Sequence, residues 1–381
     1  MPLGLPFMPG VAARSRLQQG PAGLARLHLD GPLLTFVLLV TGLGLFVLYS
    51  AVEGNFDRFL SQLIRLGLAF AVMLVVAQIA PRTLQRWALP MYLGGLLLLV
   101  AVLLIGVEAK GARRWLDLPG LPRFQPAEIM KLAVPMMLAS LLAERPLPPR
   151  LGWILLALGL MLVPALLIAL QPDLGTAVLV TGSGLAIILL AGIYWRWIFA
   201  VLLLAAAATP VLWQFLHPYQ QQRVLTLFDP QSDPFGAGWN IIQSKIAIGS
   251  GGVFGKGWMQ GTQSQLDFLP ESHTDFIIAV MAEELGLVGV AVLLCLYGLV
   301  LSRGFQIAMT ATDNFSRLLA GSLTLTFFIY LFVNIAMVAG LLPVVGVPLP
   351  LVSYGGTSAL TLMAGFGMLM AIQTHPGRLN S

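Results

Sequence analysis

Long apolar stretches dominate the chain, at 33–52, 63–80, 88–107, 127–143, 151–170, 174–193, 197–216, 276–301, 317–342 and 355–373. Each approaches the roughly 20 residues a helix needs to cross a hydrocarbon core of about 30 Å. The pattern predicts an all-α polytopic integral membrane protein with ten transmembrane helices. Nine is the nearest alternative, because Gln171-Pro172-Asp173 could be a break inside one long element. The first run is too long for a cleaved signal peptide and reads as a signal anchor. Residues 1–30 read as a disordered cytoplasmic tail, 31–375 as a single ten-helix membrane domain, and 376–381 as a short cytoplasmic tail. Between the seventh and eighth spans, 217–275 is too long for a plain connection. Trp239, Phe254, Trp258 and Phe268 within it argue for an ordered extracytoplasmic loop.

Composition supports this class. Of 381 residues, 58% are hydrophobic and 10% charged, against about 25% charged in an ordinary soluble domain. A soluble enzyme, a disordered chain and a disulfide-rich module are all excluded, the last also because Cys295 is the single cysteine. The net charge of +5 is no nucleic-acid footprint, since the 21 basic residues are scattered. Arg82, Arg86, Arg145, Arg150, Arg196, Arg303, Arg317 and Arg378 fall on one side, whereas connections 52–62, 171–173 and 341–354 hold only Arg58. The positive-inside rule then places both termini in the cytoplasm. Loops 108–126 and 217–275 break the rule with Lys110, Arg113, Arg114 and Arg123, then Arg223, Lys245 and Lys256. Cations kept on the disfavoured side point to an anionic ligand.

Ionisable residues at membrane depth are costly unless paired or hydrated. Glu128 and Lys131 share a helix face at i,i+3; a self-neutralising pair and a pair lining a substrate cavity are equally good readings. Arg123 above them could meet a phosphate or simply snorkel to the interface. Asp173 suits a helix N-cap. Of the adjacent Glu283 and Glu284, one reads as a packing acid and the other as functional. Residues 239–248 put Asn240, Gln243 and Ser244 on one arc and Trp239, Ile241, Ile242, Ile246 and Ile248 on the other, predicting an amphipathic helix at the outer interface. The glycine-rich run 249–258 lacks the Lys-Ser/Thr ending of a nucleotide loop. At the mouth of the eighth span, Asp275 or Thr274 could be no more than the helix cap, but His273, Glu271 and the basic loop converge on the same face. No metal-ligand spacing such as H-E-x-x-H occurs.

Several motifs together resemble the SEDS family (shape, elongation, division and sporulation), membrane-embedded peptidoglycan glycan polymerases. They are Arg114-Trp115-Leu116, Arg123-Phe124-Gln125-Pro126-Ala127-Glu128 with Lys131, and Gln171-Pro172-Asp173-Leu174-Gly175-Thr176. Gln222-Arg223, Ser244-Lys245, Leu269-Pro270-Glu271, His273-Thr274-Asp275-Phe276, Pro343 to Pro350 and Ser353-Tyr354-Gly355-Gly356 continue the series. Gly261-Thr262-Gln263-Ser264-Gln265-Leu266 is more similar to the elongation type, RodA, than to the division type, FtsW; Ala127 stands where many members have serine. The resemblance implies polymerisation of lipid II with release of undecaprenyl diphosphate at the outer face of the bacterial cytoplasmic membrane, for elongation and rod shape. The alternative is a lipid II flippase. It implies Asp275 as the catalytic residue, acting as a base or by holding a divalent cation, Mg or Mn, with no nucleotide. Arg123, Arg223, Lys245, His273, Glu128 and Lys131 are the candidate substrate-binding residues. The implied partners are a class B penicillin-binding protein and the elongation machinery. Gly286, Gly289, Gly298 and Gly321 on the eighth and ninth spans are the expected docking face, because small residues allow close helix approach.

Overall fold

The computed structural model describes residues 27–109, 112–117, 123–193, 218–233, 236–266 and 268–375, with scattered positions between 197 and 214. Its helices are α1 (Gly31–Ala51), α2 (Phe56–Ala77), α3 (Pro81–Ile105), α4 (Pro126–Ala143), α5 (Leu151–Ala169) and α6 (Leu174–Leu190). They continue as α7 (Pro218–Phe228), α8 (Ala237–Gly251), α9 (Ile277–Thr310), α10 (Asn314–Val338) and α11 (Thr357–Thr374). Eight of these are long and apolar enough to cross a membrane, and α6 is a shorter apolar helix of 17 residues. Nine of the ten expected spans therefore have a counterpart. The remaining one, 197–216, lies outside the described residues, as do Lys110, Arg196, Arg378, the tail through residue 26 and residues 376–381. A short antiparallel hairpin, Val107–Ala109 with Ala112–Trp115, links α3 to α4.

Polar caps fix the helix starts. Asn55 accepts from the Arg58 N–H at 3.1 Å, Asp313 from Ser316 at 2.9 Å, and Asp173 from Thr176 at 3.3 Å. The Gln171-Pro172-Asp173 stretch is thus a true turn between two helices rather than a break in one. Helices α4 and α10 form the interior of the bundle, where Ser322 donates to the Ser183 carbonyl at 2.8 Å. Leu63, Ile64, Leu97, Leu104 and Leu155 stay exposed on the outer helices, as expected where the surrounding solvent is hydrocarbon.

The tail expected to run through residue 30 ends earlier. Asp30 caps α1 by accepting from the Leu33 N–H at 3.0 Å, and its carboxylate is buried in a two-pronged pair with Arg303, at 2.9 and 2.6 Å. Beside it the His28 and His375 rings stack at 4.0 Å, so the two ends of the bundle are joined. Burial, and then the neighbouring His375, lowers the His28 pKa.

Helix α9 is broken. Gly286 has φ 67° and ψ −164° inside it, a conformation essentially restricted to glycine. A break at membrane depth frees carbonyls and N–H groups that lipid cannot satisfy. The glycine-rich run supplies the partners: Lys256 and Gly257 donate to the Glu283 and Glu284 carbonyls at 2.9 and 3.0 Å. In return Leu287 and Val288 donate to the Gly252 and Val253 carbonyls at 3.0 and 3.1 Å. The two adjacent glutamates lock the same loop. Glu283 accepts from Lys256 at 2.6 Å and from the Thr262 and Gln263 backbone at 2.8 and 3.1 Å. Glu284 accepts from Ser50 at 2.6 Å and from the Met259 and Gly261 backbone. Both carboxylates are loop anchors, so the packing role expected of one of them is shared by the two.

The helix expected at 239–248 is α8, with its polarity turned round. Gln243 and Ser244 are buried, Ser244 donating to the Val338 carbonyl at 2.8 Å, while Ile246 and Ile248 are exposed. The polar arc is used inside the protein, and only part of the apolar arc faces outward. Of the four glycines expected at a docking face, Gly286 lies in the helix break and a Cβ at Gly321 would be 2.5 Å from Leu190. Gly298 faces open space beside exposed Leu294 and Leu299.

Two predictions follow from these contacts. A Cβ at Gly286 would lie 2.3 Å from the Gly255 nitrogen, so Gly286→Ala should lower the thermal midpoint of the purified protein by the equivalent of about 3 kcal/mol or more, whereas Gly298→Ala should leave it unchanged. Breaking the buried pair with Asp30→Ala should cost about 3–5 kcal/mol, and the double change Asp30→Leu with Arg303→Met should recover much of that loss in the same melt.

Candidate functional site

The segment Glu271–Phe276 is a chain of tight turns laid against the loop that precedes α11. Ser353 donates to the Thr274 carbonyl at 2.5 Å and the Tyr354 N–H donates to the His273 carbonyl at 2.9 Å. Asn334, on α10, uses both amide hydrogens, one to the Asp275 carbonyl and one to the Val347 carbonyl, each at 2.8 Å. The backbone around Asp275 is therefore held from two sides. Its side chain is half-buried, and a Cβ at Gly346 would come within 3.6 Å of Oδ2. Gly346, at φ 76°, lets the loop pass close to that carboxylate. Helix α9 begins after Phe276, which has no side-chain capping bond. Asp275 is not the N-cap that the plainer sequence reading made it.

Glu128 and Lys131 meet at 2.6 Å on α4, both buried. The second glutamate oxygen accepts from Thr361 at 2.9 Å, and the ammonium sits 5.2 Å from the Tyr330 ring centroid. Lys131, Tyr330 and Thr361 line a small cavity of about 30 Å³, with Leu132, Phe327 and Phe366 among its other walls. The pair is self-neutralising, and Lys131 alone of the two lines the cavity. Tyr330 and Asn334 are one turn apart on α10, so a single helix touches the Lys131 pair and the Asp275 backbone.

The remaining candidates are spread more widely. His273 is half-buried, its ring edge-on to Tyr354 at 5.7 Å. Lys245 is exposed on α8 and lays its ammonium end against Gly340, where a Cβ would be 2.7 Å from Nζ. Arg223 is partly buried on α7. Arg123 is exposed and engaged with Asp117 at 2.8 Å. Asp173 holds Gln125 as well as its helix N-terminus, and Arg114 donates to the Pro172 carbonyl at 2.8 Å. A Cβ at Gly175 would be 2.7 Å from the Val345 carbonyl oxygen, so that motif is a support on which the 343–350 loop rests.

Sequence reading passed over Gln62, Arg65, Asn334 and Thr361. Gln62 accepts from the Gly355 N–H at 3.2 Å, and Arg65 stacks on Tyr354 at 4.8 Å. Arg65 did carry a signal, a charge just inside the start of the apolar run 63–80. Among the described residues no group of three or more His, Cys, Asp or Glu side chains converges to hold a metal ion. A divalent cation at Asp275 would therefore have no more than two such protein ligands among the described residues and would depend on substrate phosphates and water for the rest of its shell.

Comparison with known proteins agrees with this architecture. Residues 32–377 match the FtsW, RodA and SpoVE family described as cell cycle proteins. The chain is 53% identical to the peptidoglycan glycosyltransferase MrdB of Escherichia coli K12 over 351 residues, 92% of this chain and 95% of that protein. It is 38% identical to a probable peptidoglycan glycosyltransferase FtsW of Trichlorobacter lovleyi over 90% of this chain and 92% of that one. A solved structure described as coordinating polymerization and crosslinking in a peptidoglycan synthase complex superposes with a TM-score of 0.80 at 34% identity, covering 91% of this chain and 97% of that one. The rod shape determining protein RodA of Thermus thermophilus does so with a TM-score of 0.69 at 31% identity, covering 91% and 96%.

The buried pair on α4 yields a test. Neutralising one partner leaves an uncompensated buried charge, at a cost of about 3–5 kcal/mol. The double swap Glu128→Lys with Lys131→Glu should retain more folded protein than Glu128→Gln or Lys131→Met, read as monodisperse yield in size-exclusion chromatography. Equal yields for all three would remove the pair from the list of structural determinants.

Proposed function

This chain belongs to the FtsW, RodA and SpoVE family, the SEDS proteins, and on that premise we infer that it polymerises peptidoglycan glycan strands from lipid II. It is a multi-pass membrane enzyme of the elongation type, as its 53% identity to MrdB over nearly the full length supports. Its partner is a class B penicillin-binding transpeptidase, in keeping with the synthase complex that superposes on it. We place both termini in the cytoplasm of the inner membrane and the Asp275 side outside. The Arg-poor connections lie on that side, and the lipid-linked disaccharide is polymerised there.

The reaction joins the 4-hydroxyl of an acceptor sugar to the anomeric carbon of the lipid-linked donor. The new C–O bond forms as the bond to the diphosphate breaks, the hydroxyl proton goes to a base, and the polyprenyl diphosphate carries away the electron pair. With so good a leaving group, one base and cationic stabilisation suffice. The single observation that carries the assignment is the placement of Asp275. Its backbone is held by Asn334 at 2.8 Å while its side chain, unused as a helix cap, stays half-open next to Gly346. A carboxylate is a weak base at pH 7, so partial desolvation in this pocket is what would make it effective. Where a divalent cation binds, it adds positive charge at the diphosphate. Lys245, Arg223 and Arg123 are the candidates to meet that diphosphate, and Arg123 would have to exchange its bond to Asp117 to do so. His273 bears on the site through Tyr354.

Asp275→Asn preserves shape while removing the base. The purified variant should melt like the wild type and still bind lipid II, yet polymerise it about 10²–10⁴ times more slowly. Wild-type turnover by a well-folded Asp275→Asn protein would reject the catalytic assignment.

A further inference from the structure

The charged side chains buried among the spans are paired. Glu128 meets Lys131, Asp30 meets Arg303 and Glu283 meets Lys256, each at 2.6 Å. Arg65 is a different case, exposed on the outer flank of α2 rather than buried. It lies in the third turn of α2, about 14 Å along the helix at 1.5 Å per residue, between Ile64 and Leu68 stripes that are exposed to hydrocarbon. Among the described residues its guanidinium has no ion-pair or hydrogen-bond partner and touches only the Tyr354 ring, at 4.8 Å. Five N–H donors without acceptors at this depth are expensive. A snorkelling arginine would avoid the cost by extending along its own helix toward water. This one is turned across to a neighbouring loop instead.

What lies across that loop gives the orientation a reason. The Tyr354 ring that Arg65 covers is edge-on to His273 at 5.7 Å, and the Tyr354 N–H is bonded to the His273 carbonyl, two residues from Asp275. The Arg65 stem runs beside Gly356, with its Cδ 3.2 Å from where a Cβ would be. Helix α11 starts there with no side-chain cap, so its first backbone N–H groups add positive potential to the same space. A planar cation with a fixed fork of donors matches phosphate oxygens in pairs. We infer that Arg65 binds the diphosphate of the polyprenyl-linked substrate, entering from the lipid-facing side of α2, and so positions the donor against Asp275. The inference rests on the polymerase reading above and adds to it a lipid-side cation for the leaving group.

The test uses the full chain with its transpeptidase partner, turning over lipid II, and adds undecaprenyl diphosphate or undecaprenyl monophosphate as competing ligand. Losing one charge-assisted contact of this kind should raise KM and weaken inhibition by the diphosphate about tenfold or more in Arg65→Gln. The monophosphate should lose much less, kcat should fall together with the rise in KM, and Arg65→Lys should recover part of the loss because it keeps the charge. Unchanged KM and unchanged diphosphate inhibition in folded Arg65→Gln overturn the inference. A lower melting temperature with unchanged KM does the same, since it makes Arg65 only a staple for Tyr354. Arg65→Met, which keeps the apolar stem, guards against simple misfolding; failure of both neutral variants to fold also assigns a structural role and overturns the proposal. Asp275→Asn, measured beside them, should lose turnover but keep diphosphate binding. Normal turnover there would fail the catalytic reading while leaving the Arg65 result to stand on the binding data.

Discussion

In a hydrocarbon solvent every backbone polar group must find its partner inside the protein, and that constraint shapes each departure from helix in this molecule. The break at Gly286 is possible only because a second piece of irregular backbone, the glycine-rich run ending α8, presents complementary donors and acceptors. Each segment satisfies the other. The close approach explains why glycine recurs: a Cβ at Gly251, Gly255 or Gly286 would fall within 2.3 Å of facing backbone. Two glutamates side by side, an unusual expense in a membrane helix, become intelligible as anchors for the same loop, one gripping Thr262 and Gln263 and the other Ser50.

The same rule governs the candidate site. Non-helical backbone at 271–276 is matched to non-helical backbone at 343–356 through Ser353, Tyr354 and Asn334. A site made this way is positioned by its own hydrogen-bond completion rather than by rigid flanking helices alone. Asn334 carries a double duty, since losing its amide would strip partners from two carbonyls at once. Such a change should move the Asp275 carboxylate without touching it, which separates positioning from chemistry in this pocket.

How much of this was legible in the sequence depends on the range of the interaction. Apolar runs located the spans, because burial in lipid is read by composition over about 20 positions. They missed the polar turns at some ends, by seven residues at the starts of α2 and α3 and nine at the end of α9. The Asp173 cap and the Glu128–Lys131 pair were legible too, as contacts within one helical turn. Long-range partners were not. Asp30 looked like tail until Arg303, far along the chain, was placed beside it. Asp275 looked like a cap because sequence shows only its position before a helix, whereas the turns at 271–276 end one residue later. The orientation of α8 was misread for a related reason. A wheel separates polar from apolar arcs, but in a membrane protein the polar arc can be the buried one, as Ser244 and Val338 show.

Charge placement separates scaffold from chemistry in a way that composition cannot. A buried ion matched by its counter-ion has spent its field locally and is available for structure, as Asp30–Arg303 and Glu128–Lys131 are. A group whose field reaches open space can still act on something that arrives. Around Tyr354 the chain gathers a half-buried carboxylate, Asp275, beyond His273, and the Arg65 guanidinium over the ring. A substrate with a long apolar tail, a diphosphate and a sugar has the same order of polarity, from lipid to water, as the path from the exposed leucines of α2 past Arg65 to Asp275. The opposite charges are held apart by an aromatic spacer. A guanidinium kept on the lipid-side helix, with the ring between it and the carboxylate, can meet a phosphate without closing an ion pair on Asp275.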